Sequence, residues 1–81
     1  MRLFQKGQVN EAVEQFQKAL EIKPKDTEAR NGLGVALAQK GKLNEAISQF
    51  QEVLRVRPDF SPAQNNLARA RALLQQDDGG E

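Results

Sequence analysis

An all-α fold is expected, and three observations predict it. Ala, Gln, Glu, Leu, Lys and Arg dominate the composition while strand-favouring residues are sparse, a balance that favours helix by intrinsic propensity. Apolar residues recur at intervals of three and four, the spacing of one helical face. The stretch GQVNEAVEQFQKALEIKP, from Gly7 to Pro24, returns as GKLNEAISQFQEVLRVRP from Gly41 to Pro58. A shift of 34 residues aligns Met1–Asp26 with Val35–Phe60, and twelve of those 26 pairs are identical, among them Leu3/Leu37, Gly7/Gly41, Ala12/Ala46, Phe16/Phe50, Leu20/Leu54 and Pro24/Pro58. Self-similarity at such a fixed period is the signature of stacked repeat units.

Taken in order, the elements are these. MRLFQK at residues 1–6 reads as the remnant of an opening helix, so residues 1–26 form a partial first unit. A helix follows over 10–22, with Val9, Ala12, Val13, Phe16, Ala19 and Leu20 on one stripe, Asn10 at the N-cap and Pro24 as the stop. The complete unit spans 27–60. Its first helix, from about Thr27 to Lys40, carries Ala29, Leu33, Ala36 and Leu37; Asp26 or Thr27 caps it, and Gly41 supplies the left-handed residue after its end. Its second helix repeats the first stripe as Leu43, Ala46, Ile47, Phe50, Val53 and Leu54, with Asn44 at the N-cap and Pro58 as the stop. A terminal helix over 61–76 starts at Ser61-Pro62, a capping Ser with Pro at the first helical position, and carries Ala63, Leu67, Ala70 and Leu74. Residues 1–76 thus form one domain, and DDGGE at 77–81 is a flexible tail. Asn31-Gly32 is a hairpin signal, but nothing around it alternates with period two; the small residues at 32 and 34 let two helices approach closely.

The composition excludes several function classes. Eighty-one residues allow one small domain, with a stability on the order of 3–5 kcal/mol. There is no Cys and no His, so neither a disulfide nor a zinc site is expected, and no metal or cofactor is. The commonest general base and the strongest nucleophile are both missing, which argues against an enzyme. The carboxylates are spread over polar helix faces, as solvated charges are. A net charge of +1 with both signs mixed argues against a nucleic-acid partner. No run of about 18 apolar residues is present for a membrane span. With no signal peptide in view and no Cys, a cytoplasmic location is expected.

The unit at 27–60 resembles the tetratricopeptide repeat family. The resemblance rests on its length of 34 and on Leu33-Gly34, Leu37, Gly41, Glu45-Ala46, Phe50, Val53-Leu54 and Pro58, and the fragment before it repeats much of the pattern. It implies antiparallel helix-turn-helix repeats stacked as a short α-solenoid, a fragment of a right-handed superhelix, in which each helix pair buries its stripe against the next. Phe16 and Phe50 would fill the gap between units, and Gly34 and Ala46 would lie where a pair touches. Two positions depart from the pattern: Arg30, where the family often has a large aromatic, and Arg71, where it has a medium apolar residue. Arg71 marks the last helix as a cap with a polar outer face.

The resemblance also implies a function: a non-catalytic module whose first helices line a concave groove that binds a peptide or a partner protein. Carried over residue by residue, that face is Asn31, Val35 and Ala38, then Asn65, Asn66, Arg69 and Ala72. The Asn side chains would bond to ligand amides and Arg69 to a carboxylate. The positions that clamp a terminal carboxylate in the chaperone-tail-binding subgroup fall on Gly32, Pro62 and Asn66, so that activity is not carried over. The alternative is a structural module that self-associates as a homodimer, by helix exchange, through a face of helix 10–22 short of partners: Val13, Phe16 and Leu20. A basic cluster of Lys23, Lys25, Arg30, Arg55 and Arg57 around the inter-unit turns is read as solubility rather than as a site for an acidic partner.

Overall fold

The structure, a computed structural model, describes residues 6–79, and the side chains of 7–76. Four helices follow one another: α1 (Lys6–Ile22), α2 (Thr27–Gln39), α3 (Leu43–Val56) and α4 (Ser61–Gly79). Each packs on the next in the chain, and α2 also touches α4. The connections are short, as they must be for antiparallel neighbours, and the result is a short α-solenoid.

The 34-residue period is written into the backbone bonding as well as the sequence. At the end of α1 the Lys23 amide donates to Ala19 O (2.8 Å) and the Asp26 amide to Lys23 O (3.0 Å). At the end of α3 the Arg57 amide donates to Val53 O (2.7 Å) and the Phe60 amide to Arg57 O (3.1 Å). Even the side-chain brace recurs: Arg30 Nη2 donates to Pro24 O at 3.0 Å, and Gln64 Nε2 to Pro58 O at 2.8 Å. Each Pro lacks an amide and stops the helix before it, and its carbonyl anchors the helix after it.

Helix starts follow the sequence at one place and depart from it at three. Asp26 caps α2 as expected, its Oδ1 accepting from the Ala29 amide at 3.0 Å. Asn44 does not cap α3; it lies inside the helix, and Lys42 holds the cap position without a side-chain bond. Ser61 is likewise inside α4, and Phe60 stands where Asp26 stands one unit earlier. Asn10 is not a cap either, because α1 starts at Lys6 and runs straight through Gly7. The helix end expected at Gln76 is also passed: α4 continues through residues 77–79, which lack a Pro or other strong stop before Gly79-Gly80. The opening remnant at residues 1–5, and residues 80 and 81 of the expected tail, lie outside the described residues.

Gly41 and Gly7 occupy the same repeat position in different conformations. Gly41 has φ +84°. With it the Gly41 amide donates to Ala38 O (3.0 Å) and the Lys42 amide to Leu37 O (2.9 Å), the paired bonds of a Schellman motif. Gly7 is helical, and a Cβ there would meet nothing within 4 Å. Gly41→Ala should therefore cost about 1–2 kcal/mol, the penalty for a left-handed residue with a Cβ. Gly7→Ala should stabilise by about 0.5–1 kcal/mol, because it removes only backbone freedom. Urea denaturation followed by far-UV circular dichroism measures both.

The core runs along the faces between helices. It holds Val9 and Val13 of α1, Ala29, Leu33, Ala36 and Leu37 of α2, Ala46, Phe50 and Val53 of α3, and Ala63 and Ala70 of α4. The two glycines of NGLG are both helical, and each accepts a ring. A Cβ on Gly32 would lie 2.5 Å from Phe16 Cζ, and one on Gly34 2.5 Å from Phe50 Cε1. Phe16 thus reaches the next unit, and Phe50 packs on the first helix of its own unit.

Candidate functional site

The first helices of successive units, α2 and α4, meet at one point and leave a gap at another. Asn66 Nδ2 donates to Asn31 Oδ1 at 3.2 Å and ties them together. Farther along both helices a cleft of about 230 Å³ lies between them. Phe50 and Ala70, both core residues, reach its floor; Val35, Ala38 and Leu73 form apolar walls; Gln39, Asn66 and Arg69 supply the polar groups. Sites for whole drug-sized ligands run about 300–1,000 Å³. This cleft is smaller and has room for one or two side chains.

Along α4 the lining residues Asn66, Arg69, Ala70 and Leu73 fall at i, i+3, i+4 and i+7, one stripe of the helix. Arg69 is the only charged side chain among the lining residues, and it is exposed. Among the described residues its guanidinium has no hydrogen-bond or ion-pair partner. Leu73 is 44% exposed.

Of the residues expected on a concave binding face, Val35, Ala38, Asn66 and Arg69 line this cleft. Asn31 lies beside it, its carbonyl oxygen taken by Asn66. Asn65 and Ala72 are exposed on α4 and are not among its lining residues. The tie joins Asn31 to Asn66 and not to Asn65, its equivalent under the 34-residue shift, because facing walls of neighbouring helices use opposite flanks. Sequence reasoning missed Gln39, Phe50, Ala70 and Leu73. Leu73 carried a readable signal, being apolar yet off the Ala63–Leu67–Ala70–Leu74 stripe; Phe50 and Ala70 had been assigned to the core alone.

Two family models match the chain: one described as TPR repeat over residues 2–41, the other as Tetratricopeptide repeat over residues 27–60. The chain belongs to the tetratricopeptide repeat family. No curated protein matches it. Tetratricopeptide repeats generally mediate protein–protein interaction and are typically non-catalytic. Among the described residues of this tetratricopeptide repeat chain no helix is long and apolar enough to cross a membrane, and no group of His, Cys, Asp or Glu could hold a metal ion.

The face expected to be short of partners is largely covered. Val13 is 9% exposed, and Phe16 and Leu20 are partly buried against the core. The expectation failed for Val13 because α2 alone covers that side of α1. The exposed positions appear when the units are compared. Ala46, Phe50 and Val53 of α3 are 0%, 1% and 0% exposed, whereas their equivalents Ala12, Phe16 and Ala19 on α1 are only partly buried. Among the described residues no helix stands to α1 as α2 stands to α3.

Three of the five basic side chains at the inter-unit turns are occupied within the chain. Arg30 donates through Nη1 to Gln49 Oε1 (3.0 Å) as well as to Pro24 O, bracing α2 against α3 in place of an aromatic ring. Arg57 reaches Thr27 Oγ1 (3.4 Å) and lies 4.7 Å above the Phe60 ring. Arg55 bonds Glu52 one turn away on α3, and that bond holds the Glu52 carboxyl below its ordinary value. Such a depressed carboxylate supports the fold above its unfolded pKa and stops doing so as pH falls through the folded one. The pair is exposed to water, so its share is small. Lys23 and Lys25 share their shallow depression with Asp26 and Glu28, which leaves no clean positive patch.

Proposed function

We propose that this chain is a non-catalytic interaction module that takes an extended peptide or a segment of a partner protein in the cleft between α2 and α4. Its complete repeat at 27–60 supplies one wall and the terminal helix the other. The observation that carries the reading is the convergence of Val35, Ala38, Asn66 and Arg69 on a cleft whose floor is apolar. The shape suits side chains presented by an extended strand, and the amides suit its backbone. Asn66 keeps its oxygen and one N–H free of the Asn31 tie.

Selection from a phage-displayed library of random dodecapeptides tests this. Ala38 is only half-buried, so Ala38→Trp should fill the cleft and leave the fold intact. The parent should enrich a peptide family that binds with a Kd in the micromolar range, about −8 kcal/mol at 1 μM, and Ala38→Trp should bind those peptides at least tenfold more weakly. Equal binding by the two proteins would remove the cleft from the account.

The second reading, self-association, is favoured by the partly open Ala12, Phe16 and Ala19. Light scattering at tens of micromolar separates the two, since a monomer there excludes a stable dimer through α1.

A further inference from the structure

We infer that the segment bound in this cleft is acidic: it seats an apolar side chain over Phe50 and Ala70 and places a carboxylate, from a residue close by in its own sequence, on Arg69. The inference rests on the cleft reading above and adds the chemistry of the occupant. Arg69 and Ala70 are consecutive on the α4 stripe and both line the cleft, so one short stretch of peptide can engage the cation and the apolar floor together. The apolar half has surface to bury, because Leu73 stays 44% exposed at the wall. The charged half has no internal competitor: no carboxylate lines the cleft, and the chain's one ion pair among the described residues, Arg55–Glu52, lies on α3. A planar guanidinium matches a carboxylate with two parallel bonds. The remaining polar groups of the cleft, Gln39 and Asn66, are neutral amides that bond to backbone without regard to charge. Arg69 therefore sets the sign of the ligand, and a Lys or Arg in the same place on the peptide is rejected by like charge.

The same random dodecapeptide library decides it. Peptides enriched on the parent should carry Asp or Glu within two residues of a Leu, Ile, Val, Met or Phe, more often than the unselected library does. A synthetic copy of the best peptide with that acid changed to its amide should bind about 5–30-fold more weakly, the loss expected for a hydrogen bond to a charged group. Arg69→Glu, at an exposed position, keeps the fold by circular dichroism and should enrich Lys or Arg at the same place in the peptide. Enriched peptides that lose affinity to Ala38→Trp but show no acid preference, or an Arg69→Glu protein that selects the same peptides as the parent, would overturn the acidic occupant and leave the cleft standing. Enriched peptides indifferent to Ala38→Trp would overturn both.

Discussion

Phe50→Ala should leave the chain largely unfolded at 25 °C, while Phe16→Ala, the same change one repeat earlier, should leave it folded. The two rings occupy equivalent positions, but their surroundings differ. Phe50 is 1% exposed and is one of the two largest fully buried side chains, with Val53. Removing a buried Phe costs about 3–5 kcal/mol, through lost transfer energy and the cavity left behind. A single-core chain of this size has about 3–5 kcal/mol in all, so the substitution consumes most of it. Phe16 is only partly buried and gives up part of its ring to water already, so its loss should cost about 1–2 kcal/mol, toward the lower half of that range. Urea denaturation read by far-UV circular dichroism separates the outcomes. The chain has no Trp or Tyr to report by fluorescence. Equal losses at the two positions would mean that α1 is as fully enclosed as α3.

The two glycines that face these rings should respond in opposite directions to the same change. Gly→Ala within a helix gains about 1 kcal/mol of propensity. At Gly34 the new Cβ would fall 2.5 Å from Phe50 Cε1 and 2.9 Å from Cδ1. That ring is enclosed on all sides, so the helices must separate, and overpacking of this kind costs about 1–3 kcal/mol. Gly34→Ala should be destabilising on balance. At Gly32 the Cβ would meet Phe16 Cζ at 2.5 Å, but the Phe16 ring borders solvent and can swing aside. Gly32→Ala should be neutral or stabilising by up to about 1 kcal/mol. A Tm that falls for Gly34→Ala and holds or rises for Gly32→Ala is the expected pair of results; a fall of equal size in both would show that Phe16 is held as firmly as Phe50.

Most of the architecture was legible because a repeat states its pattern twice. The helical stripes, the stops at Pro24 and Pro58, the Asp26 cap and the left-handed Gly41 all follow from local rules that the 34-residue shift confirms. Helix starts were less legible. Asn10 and Asn44 are good capping residues that the structure leaves inside helices, because a cap is decided by where the chain enters, which tertiary packing sets. The cleft was half legible. Its polar members, Asn66 and Arg69, could be named from the pattern, whereas its floor is made of Phe50 and Ala70, whose core role hides the fact that one edge of each borders a gap. The Asn31–Asn66 tie was not readable at all, since it depends on how two non-consecutive helices approach.

The dipeptide Lys-Gly occurs at 6–7 and again at 40–41, helical in one place and a reversal of direction in the other. Glycine permits both, so the letters act as punctuation whose meaning is supplied by the neighbour on either side. Where a helix lies ready to be doubled back from, the chain bends; where none does, the same residues extend the helix that follows by another turn. Arrays of this kind can therefore gain or shed a helix by recombination without rewriting the joint, and a designer grafting a new helix ahead of α1 should find the bend already encoded at Gly7.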